Sequence, residues 1–284
     1  MLDNLEVGVM MRLRHPRIVA FLGAGEIIDP PLPGDDVPRV GVFVMLEFAA
    51  GGDLTHRLAA AANSTTKFPW KDRIQCAVDI AEGMAFIHYE GFIHRDLKSL
   101  NVLCDQNGRC MIADLGLACS NIRPSEESSS GSNTAEKDTA VTVQFDTFEE
   151  EENIKSSWAG TAAWMAPEVT VVTERQNFKK YSTYGFKADV FSFGMVMFEL
   201  LTSRIPWSST DKRFVHQIMK AVIQGERPAV SESESVDAPK DFIVLMNQCW
   251  DTDANVRPTF DELVVALGKI MPPTSVSVRL RNDG

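Results

Sequence analysis

The sequence predicts an α+β fold in which a short strand-containing region precedes a larger, mainly helical region. Two stretches rich in valine and phenylalanine, Ile18–Gly23 and Val40–Phe48, are typical of strands. The prolines and glycine between them, within residues 27–38, indicate a loop. After Gly51 and Gly52, apolar residues recur instead at helical spacing. With 284 residues, 44% hydrophobic and 24% charged, the chain can bury a core without disulfides or structural metal.

The elements before the centre of the chain follow from local patterns. Leu5–Leu13 is typical of the end of an amphipathic helix. A long helix is predicted between Pro69, which suits its first turn, and Gly91, which follows its end. Short strands are predicted around Asn101–Cys104 and Cys110–Ala113, because the intervening DQNG is a hairpin signal.

The second half of the chain contains the strongest helical signals. Residues 186–207 are apolar nearly all round, as in a helix buried at the centre of a protein. Further helices are predicted within Asp211–Ile223, Pro239–Trp250 and Asp261–Ile270. Residues 271–284 form a polar tail that we expect to fray.

Residues 120–157 differ sharply in composition from their surroundings. They are rich in serine, threonine and glutamate, and acidic residues are consecutive at Glu149–Glu152. Such a segment cannot bury enough apolar surface to order itself, so we interpret it as a mobile insertion. It either docks a basic partner or is inert.

Charge and cysteine usage exclude several classes of protein. The net charge of −11 argues against a nucleic-acid partner. The five cysteines are scattered without a CxxC pair, which argues against a disulfide framework or a zinc site. The N-terminus lacks the features of a secretory signal. The longest apolar-rich stretch, Phe191–Leu201, is far shorter than the ~20 residues of a membrane-spanning helix. We therefore expect a soluble cytoplasmic or nuclear protein without a membrane segment.

Four motifs occur in a fixed order. HRDLKSLN spans His94–Asn101, Asp114-Leu115-Gly116 follows a hairpin, GTAAWMAPE ends at Glu168, and DVFSFG begins at Asp189. Together they make the chain resemble the eukaryotic protein kinases. LRHPRIVAFLGAG, GTAAWMAPE and DVFSFGMVMFELLT are similar to the tyrosine-kinase-like group, with its mixed-lineage and Raf-like kinases. The resemblance covers roughly residues 5–270, apart from the insertion.

The resemblance implies a two-lobed protein kinase fold. Residues 1–48 would be the remnant of the small lobe, with part of its helix and two strands. Residues 49–270 would be the hinge and a complete, mainly helical large lobe, with the insertion in the activation segment. The implied function is a serine/threonine kinase in signalling, which transfers the γ-phosphoryl group of Mg-ATP to serine and threonine hydroxyls of proteins. The implied cofactors are ATP and Mg²⁺, and the implied partners are protein substrates and an upstream activating kinase.

The resemblance also implies catalytic roles. Asp96 would accept or orient the proton of the substrate hydroxyl, and Asn101 and Asp114 would hold Mg²⁺. Lys98 is typical of serine/threonine kinases and would reach the transferred phosphate as a point charge. Thr161 would hold the loop beside Asp96. Outside this context, a single loop aspartate is more often a capping residue.

An ATP pocket can be placed in part. By resemblance, Leu46 is the gatekeeper, Glu47 and Ala49 offer backbone groups to adenine, and Leu103 lies under the purine. Asp53 would bond the ribose. Its position before LTHRLAA is equally typical of a helix N-cap, so both interpretations remain open.

Other residues resemble structural and regulatory positions of the family. Arg95 would pair with a phosphate on the activation segment. Glu168 would form a buried ion pair with Arg257, and Asp189 would anchor a stacked column that links the lobes. Leu115 replaces the usual phenylalanine of the DFG motif. The members of the column would be Met10, Phe21, His94 and Leu115.

The sequence departs from the family at its start. Glu6 aligns with the glutamate that pairs with a strand lysine, yet neither that lysine nor a GxGxxGxV loop precedes it. Two strands alone are marginal in water and would expose an apolar surface, so we expect that upstream sequence has been lost. The alternative is a truncated pseudokinase or scaffold with little or no catalysis.

Overall fold

The computed structural model of the chain describes residues 4–29, 39–62, 68–116, 118–120, 161–169, 185–210 and 214–271. The predicted insertion and polar tail fall almost wholly outside these residues. The helices are α1 (Asn4–Arg12), α2 (Leu54–Ala62), α3 (Trp70–Tyr89), α4 (Lys187–Thr202), α5 (Val215–Ile223), α6 (Glu232–Ser235), α7 (Lys240–Cys249) and α8 (Phe260–Ile270). The strands are β1 (Phe21–Asp29), β2 (Arg39–Leu46), β3 (Phe92–Ile93), β4 (Val102–Cys104), β5 (Cys110–Ile112) and β6 (Cys119–Ser120).

The strands β1 and β2 form an antiparallel sheet whose bounds differ from the prediction. The strand expected at Ile18–Gly23 begins only at Phe21 and runs on to Asp29, into residues expected to form a loop. The prediction was wrong at both ends. At the start, Ile18 bridges to Ile112 instead of pairing with β2, and at the end Ile27 and Ile28 do pair with β2. Backbone pairing therefore overrides the local Pro/Gly signal.

This sheet exposes apolar side chains. Among the described residues, β2 pairs only with β1. A two-stranded sheet covers little surface, and four of its apolar side chains are 45–64% exposed. They are Leu22, Ile27, Val42 and Met45.

The segment between α1 and β1 is fastened to the helical region. Val19 donates to the Ile112 carbonyl at 2.9 Å, and the Ile112 amide donates to the Arg17 carbonyl at 2.7 Å. Arg17 also forms an ion pair with the buried Asp79 of α3 at 3.3 Å. Gly83 of α3 permits this approach, because a Cβ there would lie 2.7 Å from the Arg17 carbonyl oxygen. The small N-terminal part is thus held by backbone hydrogen bonds to β5 and by an ion pair with α3.

The helix α4 lies at the centre of the core. Every residue from Ala188 to Leu201 is buried, as a sequence that is apolar nearly all round predicts. α7 packs against α4, and α8 packs against α3. Thr259 and Glu262 form a reciprocal capping box that fixes the start of α8. Of the helices in the described ranges, none has the length and apolar character needed to cross a bilayer.

The hairpin β4–β5 connects the HRDLKSLN motif, which ends at Asn101, with the motif that begins at Asp114. Its strands pair in the register Val102↔Ile112, Leu103↔Met111 and Cys104↔Cys110. β4 starts directly after Asn101, and β5 ends two residues before Asp114. The hairpin therefore brings these two predicted ligand positions to the same end of a short ribbon.

Candidate active site

The buried carboxylate of Asp189 holds the backbone of the loop that follows β3. Asp189, in the first turn of α4, accepts from the His94 amide at 2.8 Å and from the Arg95 amide at 2.9 Å. The His88 ring lies 2.8 Å from the same carboxylate. Burial alone would raise the pKa of Asp189, but the hydrogen bonds and charge of His88 and His94 hold that pKa below its usual value. These bonds stabilise the left-handed backbone of Arg95, whose φ is 69°.

Four predicted catalytic residues meet at the Asp96 carboxylate. The Lys98 ammonium donates to Oδ2 at 2.7 Å, and the Thr161 hydroxyl donates to Oδ1 at 3.0 Å. The Lys98 ammonium also lies 3.0 Å from the Thr161 hydroxyl. The Asn101 amide nitrogen donates to both Oδ2 and the carbonyl of Asp96, each at 2.8 Å. The carboxylate is mostly buried, surrounded by donors, and able to accept one more proton-bearing group.

The pair Asn101 and Asp114 fits the donor chemistry of a magnesium site. The Asn101 nitrogen is committed to Asp96, so its amide oxygen is the atom that could coordinate a cation. Asp114 is exposed and has a left-handed φ of 59°. In the described part of the chain, no three His, Cys, Asp or Glu residues form a metal-binding group. Mg²⁺ commonly takes one or two protein oxygens and completes its shell with water and phosphates, so this sparse set suits it.

The backbone orders these two positions relative to Asp96. The Ala113 amide donates to the Asn101 carbonyl at 2.8 Å. His94 is buried: its Nδ1 accepts from the Asp96 amide at 3.2 Å, and its Nε2 lies 3.2 Å from the Ala113 carbonyl. The ring therefore bridges the two loops with Nε2 as its donor.

The predicted adenine contacts lie along the end of β2. Leu46 is 44% exposed. The Glu47 amide donates to the Ala20 carbonyl at 2.9 Å, so only its carbonyl remains for a ligand. Ala49 is half-buried, and Leu103 is half-buried on β4.

Asp53 caps α2. One carboxylate oxygen accepts from the His56 amide at 2.9 Å, and the other lies 2.5 Å from the His56 ring. These hydrogen bonds outweigh the effect of burial and lower the pKa of Asp53. Of the two interpretations of Asp53, the helix cap is the one that the structure displays.

The predicted ion pair between Glu168 and Arg257 is present and bidentate. The two guanidinium nitrogens donate to the two carboxylate oxygens at 2.7 and 2.9 Å. The Arg257 side chain is fully buried, whereas the Glu168 side chain is 30% exposed. The expectation of a buried pair therefore needs a correction on the glutamate side, because the end of this segment faces solvent.

The residues of the predicted column differ in burial. His94 and Leu115 are buried, whereas Met10 and Phe21 are half-buried. Glu6 lies in α1, but its side chain is outside the described part of the structure.

One buried residue at the site was missed from the sequence. Both oxygens of Glu199, in the last turn of α4, accept hydrogen bonds: one from the Ser99 hydroxyl at 2.6 Å and one from the Trp164 ring at 2.8 Å. The Ser99 hydroxyl is also 2.6 Å from that of Thr55. Burial raises the pKa of Glu199 to about 7, although these hydrogen bonds oppose the rise. The available signal was a second carboxylate, ten residues after Asp189, within an otherwise largely apolar helix, a position where a charge needs partners.

Comparison with known proteins identifies the family. A profile described as the protein kinase domain matches residues 4–266. A probable serine/threonine-protein kinase of Dictyostelium discoideum is 31% identical over 265 residues, which cover 93% of this chain and 35% of the relative. Serine/threonine-protein kinase STY46 of Arabidopsis thaliana is 30% identical over 268 residues, which cover 93% of this chain and 36% of the relative.

A putative serine/threonine-protein kinase/receptor of Acanthamoeba polyphaga mimivirus is 29% identical over 273 residues, which cover 95% of this chain and 13% of the relative. The chain thus spans little more than a third, or less, of the length of these relatives. Because the profile matches nearly the whole chain and the four motifs stand in order, the chain belongs to the protein kinase domain family.

Proposed function

We propose that this chain is the catalytic core of a serine/threonine protein kinase, which transfers the γ-phosphoryl group of Mg-ATP to serine and threonine hydroxyls of proteins. The observation that carries the proposal is the joint contact of Lys98 and Thr161 with Asp96. The relatives named above are serine/threonine kinases by name, which supports the same substrate class.

The arrangement around Asp96 explains how such a transfer would be assisted. Its carboxylate can accept a hydrogen bond from a substrate hydroxyl and so orient the oxygen that attacks. Lys98 is held within 3.0 Å of both Asp96 and Thr161, close enough to the attacking oxygen to place positive charge near the transferred group. Thr161 fixes both side chains and lies on the segment that precedes Glu168.

Nucleotide and metal would be held next to Asp96. Protein kinases generally use ATP and Mg²⁺, and the bound cation neutralises charge on the phosphates. We propose that the Asn101 amide oxygen and the Asp114 carboxylate hold it. Adenine would lie between the end of β2 and Leu103.

The finer classification rests on motifs. The stretches LRHPRIVAFLGAG, GTAAWMAPE and DVFSFGMVMFELLT support membership of the tyrosine-kinase-like group. On this basis residues 1–48 belong to the small lobe and residues 49–270 to the hinge and large lobe. The protein substrates, and an upstream kinase acting on the segment before Glu168, belong to the same proposal.

The test measures transfer of labelled γ-phosphate from Mg-ATP to a generic basic protein. We expect label on serine and threonine, and its loss in Asp96→Asn, because an amide is a poor acceptor for the hydroxyl proton. Asp261→Asn, at an exposed position in the first turn of α8, is the matched control and should retain activity.

Two results would contradict the proposal. Label on tyrosine would show that the proposed substrate class, serine and threonine hydroxyls, is wrong. A folded chain that transfers no label at saturating Mg-ATP would leave partner binding, as in a pseudokinase or scaffold, as its remaining function.

A further inference from the structure

Three buried thiols meet beneath the β4–β5 hairpin, outside the site described above. They are Cys76 of α3, Cys104 of β4 and Cys110 of β5. The sulfur atoms of Cys104 and Cys110 are 4.0 Å apart. The Arg57 guanidinium lies 3.6 Å from the Cys76 sulfur and 3.8 Å from the Cys104 sulfur.

The backbone places Cys104 and Cys110 in the right kind of strand pair for a disulfide. They are directly opposite each other in the hairpin. The polar backbone groups of Cys104 bond outward, to Gly52 at 2.7 Å and Gly51 at 2.8 Å, and the Cys110 amide bonds to Asp79 at 3.0 Å. Opposed residues that do not bond to each other have the closer side chains, with Cα atoms about 4.5 Å apart. That separation lies within the range of known disulfides.

The surroundings favour a reactive sulfur on Cys104. Arg57 is fixed by a hydrogen bond to the Gly108 carbonyl at 2.6 Å and stacks on Phe68 at 4.6 Å. The hydrogen bond with Cys110 lowers the pKa of Cys104, burial opposes the effect, and Arg57 adds to it, giving a pKa of about 7. The pKa of Cys110 is raised. This difference favours Cys104 as the nucleophile of the pair and Cys110 as the thiol that resolves it.

We propose that Cys104 and Cys110 form a reversible disulfide when the protein meets a peroxide. The Cys104 thiolate attacks one peroxide oxygen: an S–O bond forms, the O–O bond breaks, and the leaving oxygen takes a proton to become water. The Cys110 sulfur then attacks the Cys104 sulfur, the S–O bond breaks, and the departing hydroxide leaves as water with the Cys110 proton. Two thiols lose two electrons and hydrogen peroxide becomes two waters. The proposal does not depend on the proposed kinase activity.

The burial of Cys104 and Cys110 should limit the rate at which peroxide oxidises them. Both sulfurs belong to residues that are at most 1% exposed, whereas Arg57, which contacts the Cys104 sulfur, is half-buried. Arg57→Met keeps bulk but removes the charge. Because Arg57 supplies only part of the lowering, its loss should raise the Cys104 pKa, reduce the thiolate fraction at pH 7 and slow oxidation, by less than the roughly tenfold that a full return to the ordinary ~8.5 would give.

The proposed disulfide would lie in the hairpin that connects Asn101 to Asp114. β4 begins immediately after Asn101, and Asp114 lies two residues beyond β5. Formation of the bond draws the sulfurs from 4.0 Å to about 2.05 Å and joins the strands covalently. The oxidised hairpin therefore holds the two proposed magnesium ligands on a cross-linked ribbon.

The experiment treats the folded chain with hydrogen peroxide, removes the oxidant with catalase, and alkylates free thiols during denaturation. Trypsin cuts after Arg109, between the two cysteines, so the bond would join peptide 99–109 to peptide 110–137. The second peptide also carries Cys119, and fragment ions together with a Cys119→Ala variant locate the bond. We expect a linked pair that loses two hydrogens, disappears on reduction, and persists in Cys119→Ala.

The control is Cys249→Ala, since Cys249 is also buried but lies apart on α7. It should leave the linked pair unchanged, whereas Cys104→Ala or Cys110→Ala should abolish it. Full alkylation of Cys104 and Cys110 after peroxide treatment would overturn the proposal. So would a bond to Cys76, found in peptide 74–95, or to Cys119. Because fragment ions assign the bond in the unsubstituted chain, the test does not require the cysteine variants to fold.

Discussion

The Asp96 carboxylate is shared between groups from two separate segments. Lys98 and Asn101 come from its own loop, and Thr161 comes from a segment 65 residues further along. Thr161 contacts both Asp96 and Lys98, so its hydroxyl joins the two segments. The Thr161 hydroxyl therefore does more than stabilise a local turn, because it bonds to residues of another segment.

Replacing Thr161 by valine should lower kcat. Valine has a similar shape but lacks the hydroxyl that bonds to a carboxylate and faces an ammonium. A hydrogen bond to a charged group is worth about 1.5–3 kcal/mol, which corresponds to roughly a 10- to 100-fold loss if the bond acts in the transition state. Thr161→Ser keeps the hydroxyl and should retain most activity. Steady-state rates of phosphate transfer measure both, and equal rates for Val and Ser would contradict the role of the hydroxyl.

Glu199 should make stability depend on pH. Its pKa is about 7 in the folded protein and near 4.5 when unfolded. Between these values the folded state holds a proton that the unfolded state has released. The stabilisation is therefore complete below pH 4.5 and is lost as pH rises through about 7. The loss is on the order of 3 kcal/mol.

The measurement compares denaturant unfolding of Glu199→Gln with that of the unsubstituted chain at pH 5 and pH 8. Glutamine can accept from Trp164 and donate to Ser99 without titrating. The variant should therefore gain stability relative to the parent as pH rises. Glu232→Gln, at an exposed position, should show no such trend. A constant difference for Glu199→Gln would disprove the linkage.

At the scale of elements, the contact between α3 and the segment after α1 depends on one glycine. Ala normally stabilises a helix over Gly by about 1 kcal/mol. At Gly83 a methyl group would meet the Arg17 carbonyl oxygen at 2.7 Å and the Ile112 side chain at 3.0 Å. We expect Gly83→Ala to destabilise the protein by about 1–3 kcal/mol, since backbone must move to admit the methyl group.

The matched substitution is Gly268→Ala in α8. A Cβ at Gly268 meets no atom within 4 Å, so only helix propensity should change. That variant should be more stable than the parent by up to about 1 kcal/mol. Thermal or denaturant unfolding distinguishes the two, and a stabilising Gly83→Ala would show that the Arg17 segment is loosely held.

Elements with a strong period were predictable from local pattern, whereas contacts across the chain were predictable only where the family resemblance supplied them, as for Glu168 and Arg257. The long helix ending before Gly91 and the buried helix α4 follow from apolar spacing alone. The start of β1 did not, because Ile18 is drawn to Ile112 by a bridge between residues 94 positions apart.

The residues of the candidate site also fall into two groups, those that sequence motifs predicted and those that they did not. Motifs placed Asp96, Lys98, Asn101 and Thr161, which the structure brings together, although their catalytic roles remain predictions. Glu199 carries no motif, and its two partners, Ser99 and Trp164, come from two other segments. Hydrogen bonds between distant segments leave no local pattern in a sequence.

At the scale of the whole molecule, α4 supports the candidate site at both of its ends. Asp189 in its first turn holds the loop at His94 and Arg95, while Glu199 in its last turn holds it at Ser99. Ten residues of helix separate the two carboxylates by about 15 Å. Because α4 is buried on all sides, it is a rigid support against which both the loop and Trp164 are positioned.

The ion pair between Glu168 and Arg257 connects the end of the segment Thr161–Val169 to the region between α7 and α8. Arg257 is buried and also donates to the carbonyls of Asp251 and Lys187, each at 2.8 Å. Glu168→Gln would leave this buried cation without its counter-charge. Losing one partner of such a pair costs about 3–5 kcal/mol, and we expect about 3 kcal/mol here because Glu168 is partly exposed and the carbonyls remain.

Denaturant unfolding should show a lower midpoint for Glu168→Gln with an unchanged slope, since the same surface is exposed on unfolding. Glu90→Gln is the matched control: Glu90 lies 3.9 Å from Arg12, whose side chain is 60% exposed, and such surface pairs contribute less than about 1 kcal/mol. If the two variants lost the same small amount, the buried arginine would be stabilised by its carbonyl partners alone. The segment from Thr161 to Val169 would then be held by Trp164 and Ser192 rather than by the ion pair.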